Sequence, residues 1–176
     1  LLDGQEITTN DDTLLIADQS GPLALAGIMG GESSSVDDNT KHLFLEAAFF
    51  TPITIAGRAR SYGLHTDSSH RFERGVDPEL AKQAIERATS LLISIVGGQA
   101  GPITEKTSEN DLPQQQKIIL RADRIKRVLG IAIEAEQVED QLTRLGLTVE
   151  TTDQGWQVTV PSFRFDLAIE VDLIEE

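Results

Sequence analysis

One polar stretch constrains the fold of this chain more than any other feature. Residues 107–117 read TSENDLPQQQK, which is mainly polar and contains a proline. Stretches of this kind between patterned segments are typical of loops and linkers. Before it, strand-like and helix-like patterns alternate, whereas two short helices, a hairpin and a further helix are indicated after it. We therefore predict two domains, residues 1–106 and 118–176, joined by the linker 107–117.

The first domain begins with signals for a hairpin, a strand and a helix. Residues 13–28, TLLIADQSGPLALAGI, hold two apolar runs around a turn-like QSGP. HLFLEAAFF, residues 42–50, is short, aromatic and mostly apolar, which predicts a buried strand. TPITIAGRARSYG, residues 51–63, predicts a helix with Thr51 as its N-cap and Pro52 at its first position.

A longer helix is predicted in DPELAKQAIERATSLLISIVGG, residues 77–98. Asp77 and Pro78 form the predicted start of this helix, and two glycines after Val96 end it. Apolar residues recur at helical spacing, which predicts one buried face. The residues of this face are Leu80, Ala84, Ile85, Ala88, Leu91, Leu92 and Ile95.

The segment after the linker has the order of elements of a small winged-helix-like domain. ADRIKRVLG and EAEQVEDQLTRLG predict helices that end at Gly130 and Gly146. LTVETTDQGWQVTVP predicts a hairpin with Trp156 on its second strand, and a helix begins in IEVDLIEE, residues 169–176. The predicted fold class is therefore α+β, with a mixed α/β domain followed by the winged-helix-like domain.

Composition narrows the functions that are open to the chain. The net charge is −14 and there is no cysteine. An acidic protein does not hold nucleic acid through its overall field, so any RNA contact has to be local. The lack of cysteine excludes a disulfide framework and a thiolate metal site, and it fits a cytoplasmic protein. No apolar run reaches the roughly 20 residues that span a bilayer, so we expect no membrane contact.

Two features of the first domain have more than one chemical interpretation. The glycine-rich GIMGGESS, residues 27–34, lacks the ending of a phosphate-binding loop and the spacing of a dinucleotide fingerprint. A tight turn is therefore favoured, although its glycines would let the backbone approach a ligand closely. Glu46 lies among the apolar residues of the predicted strand. Its carboxylate either has a functional partner or faces solvent from the other side of the strand.

The polar loop GLHTDSSHRFERGVDP, residues 63–78, contains further candidates. His65 and His70 are five positions apart, which suits neither spacing of a helical metal site, so a hydrogen-bonded loop is favoured over zinc. Ser68 and Ser69 lack the neighbouring glycines of a hydrolase nucleophile elbow.

The polar loop belongs to a longer stretch that resembles a known family. Residues 23–89, which include GLHTDSSHRFERGVDP, resemble the B3/B4 domain of the bacterial phenylalanyl-tRNA synthetase β-subunit family. PSFRFDLAIEVDLIEE, residues 161–176, resembles the end of the B5 domain that follows it. The chain also opens as if within a hairpin and stops inside a helix, so we expect a fragment of a longer polypeptide.

The resemblance implies an editing function for the first domain. In this cytoplasmic family the α subunit binds ATP and joins phenylalanine to tRNA(Phe) within an α2β2 assembly, and the B3/B4 domain hydrolyses mischarged Tyr-tRNA(Phe). By position, Glu46 matches the acceptor of the tyrosine hydroxyl, Thr66 lines the pocket, and Gly27 and Gly30 form its floor. Ser68 stands where many bacterial members have alanine. No residue has the arrangement of a general base, so water is the expected nucleophile.

The acidic end of the chain also allows two interpretations. Asp172, Glu175 and Glu176 would share one face of a helix, and Asp166 lies just before it. The residues alone favour solvated acids that interact with the dipole of the helix N-terminus. The resemblance implies instead that these four residues bind Mg²⁺ shared with the α subunit. We expect no ordered metal in the fragment but Mg²⁺ in the assembly, because Mg²⁺ takes few ligands from one chain.

A non-catalytic RNA- or protein-binding module is the alternative function. It would use four basic residues placed on the first helix of the second domain, Arg121, Arg124, Lys126 and Arg127. An ordinary solvated helix face is favoured over such a binding surface.

Overall fold

The computed structural model describes residues 1–176, which form two compact units, Leu1–Leu112 and Pro113–Glu176. We call them the N-terminal and C-terminal units. Each combines helices with one three-stranded antiparallel sheet, which confirms the predicted α+β class. No helix is both long enough and apolar enough to cross a membrane.

The sheet of the N-terminal unit forms around the predicted hairpin. Strands β1 (Leu15–Asp18), β2 (Gly21–Leu25) and β3 (Met29–Gly30) lie in the order β1-β2-β3. The Asp18 carboxylate accepts a hydrogen bond of 2.7 Å from the backbone N–H of Ser20, which stabilises the first turn. The hairpin is therefore confirmed, and the glycine-rich segment that follows makes the favoured tight turn.

The prediction of a buried strand over residues 42–50 is wrong. These residues have no regular secondary structure, and Phe44 is 97% exposed. A strand has to pair with a neighbouring edge, and the strands of this unit pair only with one another. Phe50, at the end of the segment, is the aromatic residue that packs against the core.

The helix predicted over residues 51–63 is divided into two single turns. These are α1 (Pro52–Ile55) and α2 (Arg58–Ser61). Gly57 lies between them with φ +76°, a left-handed conformation that ends the first turn and that glycine adopts without strain. The polar loop contains a further short helix, α3 (Asp67–Phe72), which was not predicted.

The long helix α4 (Leu80–Val96) is present, but its predicted buried face is wrong. The helix starts at Leu80 rather than directly after Asp77, whose carboxylate accepts a hydrogen bond of 3.0 Å from the backbone N–H of Glu79. No residue of α4 is buried, and Ile95 is 77% exposed. The apolar stripe is present in the sequence, but no element of this unit packs closely against it. The buried core lies elsewhere and consists of Leu25, Ile28, Ile55, Ala59 and Leu64.

The C-terminal unit contains the predicted helices and hairpin, together with a strand that was not predicted. In chain order the elements are β4 (Lys117–Arg121), α5 (Ala122–Leu129), α6 (Ala135–Arg144), β5 (Thr148–Thr152), β6 (Gly155–Thr159) and α7 (Glu170–Glu175). The sheet order is β4-β6-β5. Because β4 ends at Arg121, this residue precedes the first helix and does not lie on it, which corrects the predicted placement of the basic residues.

One large core holds the C-terminal unit together. It includes Val158 of β6, which is fully buried, and Trp156, which is 3% exposed. The indole N–H of Trp156 donates a 2.7 Å hydrogen bond to the Glu139 carboxylate, so the one polar atom of this ring is satisfied. Arg121 binds Glu170 through its backbone N–H, Nε and Nη2, which joins the end of β4 to the start of α7.

Candidate functional site

Gly27 lies where the turn after β2 meets two aromatic rings. The ring centroids of Phe50 and Phe72 are 5.1 Å apart. A Cβ atom built on Gly27 would lie 3.2 Å from the side chains of both rings, and the residue has φ +66°. A larger residue would therefore strain the backbone and press on the aromatic pair. Packing and backbone conformation thus require a glycine at this position, whatever its predicted role in a pocket floor.

Thr66 is hydrogen-bonded both to the first turn of α3 and to the turn after β2 that contains Gly27. Its hydroxyl accepts a 3.0 Å hydrogen bond from the backbone N–H of Ser69 and donates one of 2.8 Å to the carbonyl oxygen of Ile28. The Ser69 hydroxyl in turn accepts from the Thr66 backbone N–H at 3.1 Å, which completes a reciprocal cap. Both hydrogen-bonding roles of the Thr66 hydroxyl are therefore used within the fold.

The remaining predicted pocket residues occupy different surroundings. Ser68 is half-buried in the first turn of α3. Gly30 ends β3, and a Cβ atom built on it would lie 3.1 Å from Cδ1 of Leu2. The structure therefore brings Gly27 and Thr66 into one packed group through Ile28, and it packs Gly30 against the beginning of the chain.

Glu46 lies in the irregular segment, four positions before Phe50. Its side chain is exposed, as the solvent-facing interpretation expects. Neighbouring atoms nevertheless remove part of its hydration, and this desolvation raises the pKa of the Glu46 carboxyl above its ordinary value. A carboxylate that binds protons more tightly is also a stronger hydrogen-bond acceptor.

The histidines of the polar segment form no metal site. The ring centroids of His65 and His70 are 6.5 Å apart. Nη1 of Arg74 lies 2.9 Å from Nδ1 of His70 and donates a 3.1 Å hydrogen bond to Glu73. Across the chain, no three His, Cys, Asp or Glu side chains are close enough together to hold a metal ion.

Three of the four acidic residues predicted to bind Mg²⁺ are engaged by protein groups. Arg164 binds Asp166 through Nε at 2.9 Å and Nη2 at 2.7 Å, and Nη2 also donates to Glu176. The Asp172 carboxylate accepts 2.8 Å hydrogen bonds from two backbone N–H groups before α7. In this arrangement only Glu175 has no such role, so the four residues do not fit a Mg²⁺ ion as they stand.

A cleft that the sequence did not suggest lies elsewhere in the N-terminal unit. It has a volume of about 400 Å³, and Asp12 and Arg58, which line it, form an ion pair of 3.5 Å. Nε of Arg58 is buried without a hydrogen-bond partner. No motif marks these residues, because they lie far apart in the chain and only the fold brings them together.

Comparison with known proteins identifies both units. Residues 1–97 match the B3/4 domain, and residues 118–176 match the tRNA synthetase B5 domain. The whole chain is 64% identical over 176 residues to the phenylalanine–tRNA ligase beta subunit of Nitrosococcus oceani, of which it covers 22%. It is 59% identical over 177 residues to the protein of that name from Pseudomonas savastanoi pv. phaseolicola, and 57% over 176 residues to that from Pectobacterium atrosepticum, again covering 22% of each.

The chain thus spans about a fifth of the length of the curated relatives it matches, and these matches cover all of the chain itself. The two domain matches occur in the order that the resemblance implied and lie in different compact units. The chain therefore belongs to the phenylalanine–tRNA ligase β-subunit family, from which it carries a B3/4 domain and a B5 domain.

Proposed function

We propose that the N-terminal unit carries much of an editing pocket that hydrolyses Tyr-tRNA(Phe). In this proposal the chain is part of a β subunit that works with an α subunit in an α2β2 assembly. The α subunit binds ATP and attaches phenylalanine to tRNA(Phe), and the β subunit removes tyrosine that was attached in error. Membership of the family supports this division of work.

Editing is needed because tyrosine differs from phenylalanine by one hydroxyl group. A hydrophobic pocket rejects an added hydroxyl by only about a hundredfold, so a second site has to recognise that hydroxyl positively. Phenylalanine offers no donor to such a site and would leave its polar acceptor dehydrated and unpaired. A single well-placed acceptor thus separates the wrong product from the right one.

The match of residues 1–97 to the B3/4 domain is the observation that carries the proposal, and Glu46 is the acceptor that we assign within it. Desolvation raises its pKa, and the same loss of hydration strengthens a hydrogen bond that it accepts from a phenol. Glu46 is close in the chain to Phe50, which packs beside Gly27, and the Thr66 cap is hydrogen-bonded to the next residue of that turn. We assign hydroxyl recognition to Glu46 and the shape of the surrounding wall to Gly27, Gly30, Thr66 and Ser68.

Bond cleavage itself is assigned to water. The Thr66 hydroxyl is occupied by two hydrogen bonds, and Ser69 is 4% exposed and caps α3, so neither is free to act as a nucleophile. No Mg²⁺-dependent step is assigned to this chain, because Arg164 engages Asp166 and Glu176, and backbone N–H groups engage Asp172.

The test is a substitution of Glu46 in the complete α2β2 enzyme. Glu46→Ala removes the acceptor, and Glu46→Gln keeps a neutral one. Loss of a hydrogen bond to a charged group should slow Tyr-tRNA(Phe) hydrolysis roughly 10- to 100-fold in Glu46→Ala and less in Glu46→Gln. The rate of phenylalanine attachment should stay unchanged in both variants.

Glu86→Ala is the matched control, since Glu86 is an exposed acid on α4 of the same unit. It should hydrolyse Tyr-tRNA(Phe) at the wild-type rate. Wild-type hydrolysis in Glu46→Ala would refute the role of Glu46, and equal losses in Glu46→Ala and Glu86→Ala would point to charge alone.

The alternative, a non-catalytic RNA- or protein-binding module, has weaker support. Arg121 is ion-paired with Glu170 at 2.6 Å, so it does not offer a free charge to a ligand. Lys126 and Arg127 are exposed on α5, which fits the favoured solvated face. Two exposed cations on α5 give a small electrostatic footprint, because the chain as a whole has a net charge of −14.

A further inference from the structure

We call the four acidic residues near the end of the chain, Asp166, Asp172, Glu175 and Glu176, the acidic cluster. Arg164 binds two of them, Asp166 and Glu176. Its side chain is 17% exposed, which is unusual for a residue of this type outside an ion pair. Its Nε and Nη2 atoms donate hydrogen bonds to the two carboxylate oxygens of Asp166, and Nη2 also donates to the Glu176 carboxylate, directly after α7. One guanidinium therefore joins the loop before α7 to the end of that helix.

We propose that Arg164 is the resident cation of this acidic cluster and that a divalent metal ion binds here only when the guanidinium leaves. The two cations need the same oxygens, because the donors of Arg164 point at Asp166 and Glu176. A metal ion placed beside the guanidinium would also face a like charge at short range. The inference concerns metal binding and does not rest on the proposed hydrolysis.

The other two carboxylates cannot replace the occupied ones. The Asp172 carboxylate accepts from the backbone N–H groups of Ala168 and Ile169 and so orders the first turn of α7. Glu175 alone then remains, and Mg²⁺ bound by a protein usually takes one or two carboxylates together with further ligands. A site of useful affinity therefore requires the release of Asp166 and Glu176.

Release of Arg164 has a physical requirement of its own. If Arg164 loses both carboxylates while its side chain remains 17% exposed, its charge is left unpaired, which is unfavourable. The side chain needs a new acceptor or a path to water before a metal ion can bind. Any partner that brings a metal ion to this face should therefore present an acceptor, such as a carboxylate or a carbonyl oxygen, to Arg164.

The first test measures Mg²⁺ binding calorimetrically to the 176-residue chain and its variants. Arg164→Gln should bind Mg²⁺ at least about tenfold more tightly than the wild type, because the competing charge is gone. The Mg²⁺ affinity of Arg164→Lys should lie between those of the wild type and Arg164→Gln, because a lysine ammonium cannot reproduce the two parallel hydrogen bonds of the planar guanidinium. Arg144→Gln is the matched control, because it removes one positive charge from a pair that is 77% and 63% exposed and lies outside the cluster.

Equal Mg²⁺ affinity in wild type and Arg164→Gln would overturn the proposal. An equal gain in Arg164→Gln and Arg144→Gln would also overturn it, because the effect would then come from overall charge.

A second measurement uses the wild-type chain and therefore does not depend on whether a variant folds. Nuclear magnetic resonance can follow the Arg164 Nε–H signal and the side-chain carboxyl carbons of Asp166 and Glu176 during a Mg²⁺ titration. The proposal requires the arginine signal to change with the same midpoint as the carboxyl signals, or all of them to remain unchanged. Saturation of the carboxyl signals with an unchanged arginine signal would refute it.

Discussion

The two units of this chain differ in how much of their apolar sequence they bury. The C-terminal unit is the shorter one, yet twelve buried apolar residues form its core. The core of the longer N-terminal unit has five, and its longest helix adds none. Helical spacing therefore creates an apolar face, but only a packing partner makes that face buried. The unit with the candidate editing residues is also the one with the smaller core.

The largest expected effect comes from truncating one leucine in each unit. Leu120 is 1% exposed in the C-terminal core, whereas Leu91 is 42% exposed on α4. Leu120→Ala should lower the free energy of unfolding of its unit by about 3 kcal/mol, since it removes buried methyl groups and leaves a cavity. Leu91→Ala should change the stability of its unit by less than about 1 kcal/mol.

The single tryptophan makes this comparison measurable. Trp156 is buried in the C-terminal unit, so its fluorescence during urea unfolding reports on that unit alone. Far-ultraviolet circular dichroism adds the helical signal of α4. A loss of several kcal/mol in Leu91→Ala would show that its face is covered, and the contrast between the units would then fail.

A smaller effect is expected from placing a methyl group on a glycine in each unit. A Cβ atom built on Gly155 would lie 2.2 Å from the carbonyl oxygen of Leu120 and 3.0 Å from the backbone nitrogen of Ala122. Backbone atoms cannot move aside as a side chain can, so Gly155→Ala should cost about 1–3 kcal/mol. Gly101 meets nothing within 4 Å, so Gly101→Ala should remain within about 0.5 kcal/mol of the wild type.

Urea unfolding of both glycine variants, followed by Trp156 fluorescence and circular dichroism, checks this expectation. Wild-type stability in Gly155→Ala would mean that β4 and β6 can separate locally at no cost. The tight core of the C-terminal unit would then be less rigid than its contacts indicate.

The same contrast explains how much could be predicted from the sequence. Helices α5 and α6 and the β5–β6 hairpin follow from local signals, namely apolar spacing, helix-ending glycines and a turn. Strand β4 was missed because its five residues pair with β6, far along the chain, and adjoin a polar linker. In the N-terminal unit, the apolar residues 42–50 predict a strand, but this unit offers them no edge to pair with.

The candidate site divides in a similar way. The capping role of Thr66 could have been recognised, because a hydroxyl residue three positions before Ser69 fits a reciprocal cap. The contact between Gly27 and the rings of Phe50 and Phe72 depends on the tertiary fold, which sequence spacing does not encode. The bridge from Arg164 to Glu176 spans twelve positions, so no helical or strand period indicates it.

The smallest expected effect is the contribution of one glutamate in each unit to the pH dependence of stability. The two contributions should have opposite signs. The Glu139 carboxylate accepts hydrogen bonds from the Trp156 indole at 2.7 Å and from the Thr151 hydroxyl at 2.9 Å, and these bonds lower its pKa below the ordinary value of 4.5. Desolvation raises the pKa of Glu46 instead. A carboxyl pKa that is lowered in the folded state stabilises the protein at pH values above the pKa of the unfolded state. This stabilisation is lost as the pH falls through the pKa of the folded state. A carboxyl pKa that is raised in the folded state makes the protein less stable at pH values above that folded-state pKa. This destabilisation disappears once the pH falls below the pKa of the unfolded state.

Glutamine substitutions should therefore show opposite trends between pH 7 and pH 3. Glu139→Gln should lower the urea midpoint of the C-terminal unit at pH 7, and the difference from wild type should shrink as the pH falls, because the wild-type carboxylate becomes protonated. Glu46→Gln should slightly stabilise the N-terminal unit at pH 7 and have no effect at pH 3. Trp156 fluorescence measures the first trend and circular dichroism the second.

A difference for Glu139→Gln that stays constant over this range would mean that shape, and not ionisation, makes Glu139 stabilising. Parallel trends in the two variants would remove the electrostatic contrast between the core of one unit and the candidate site of the other.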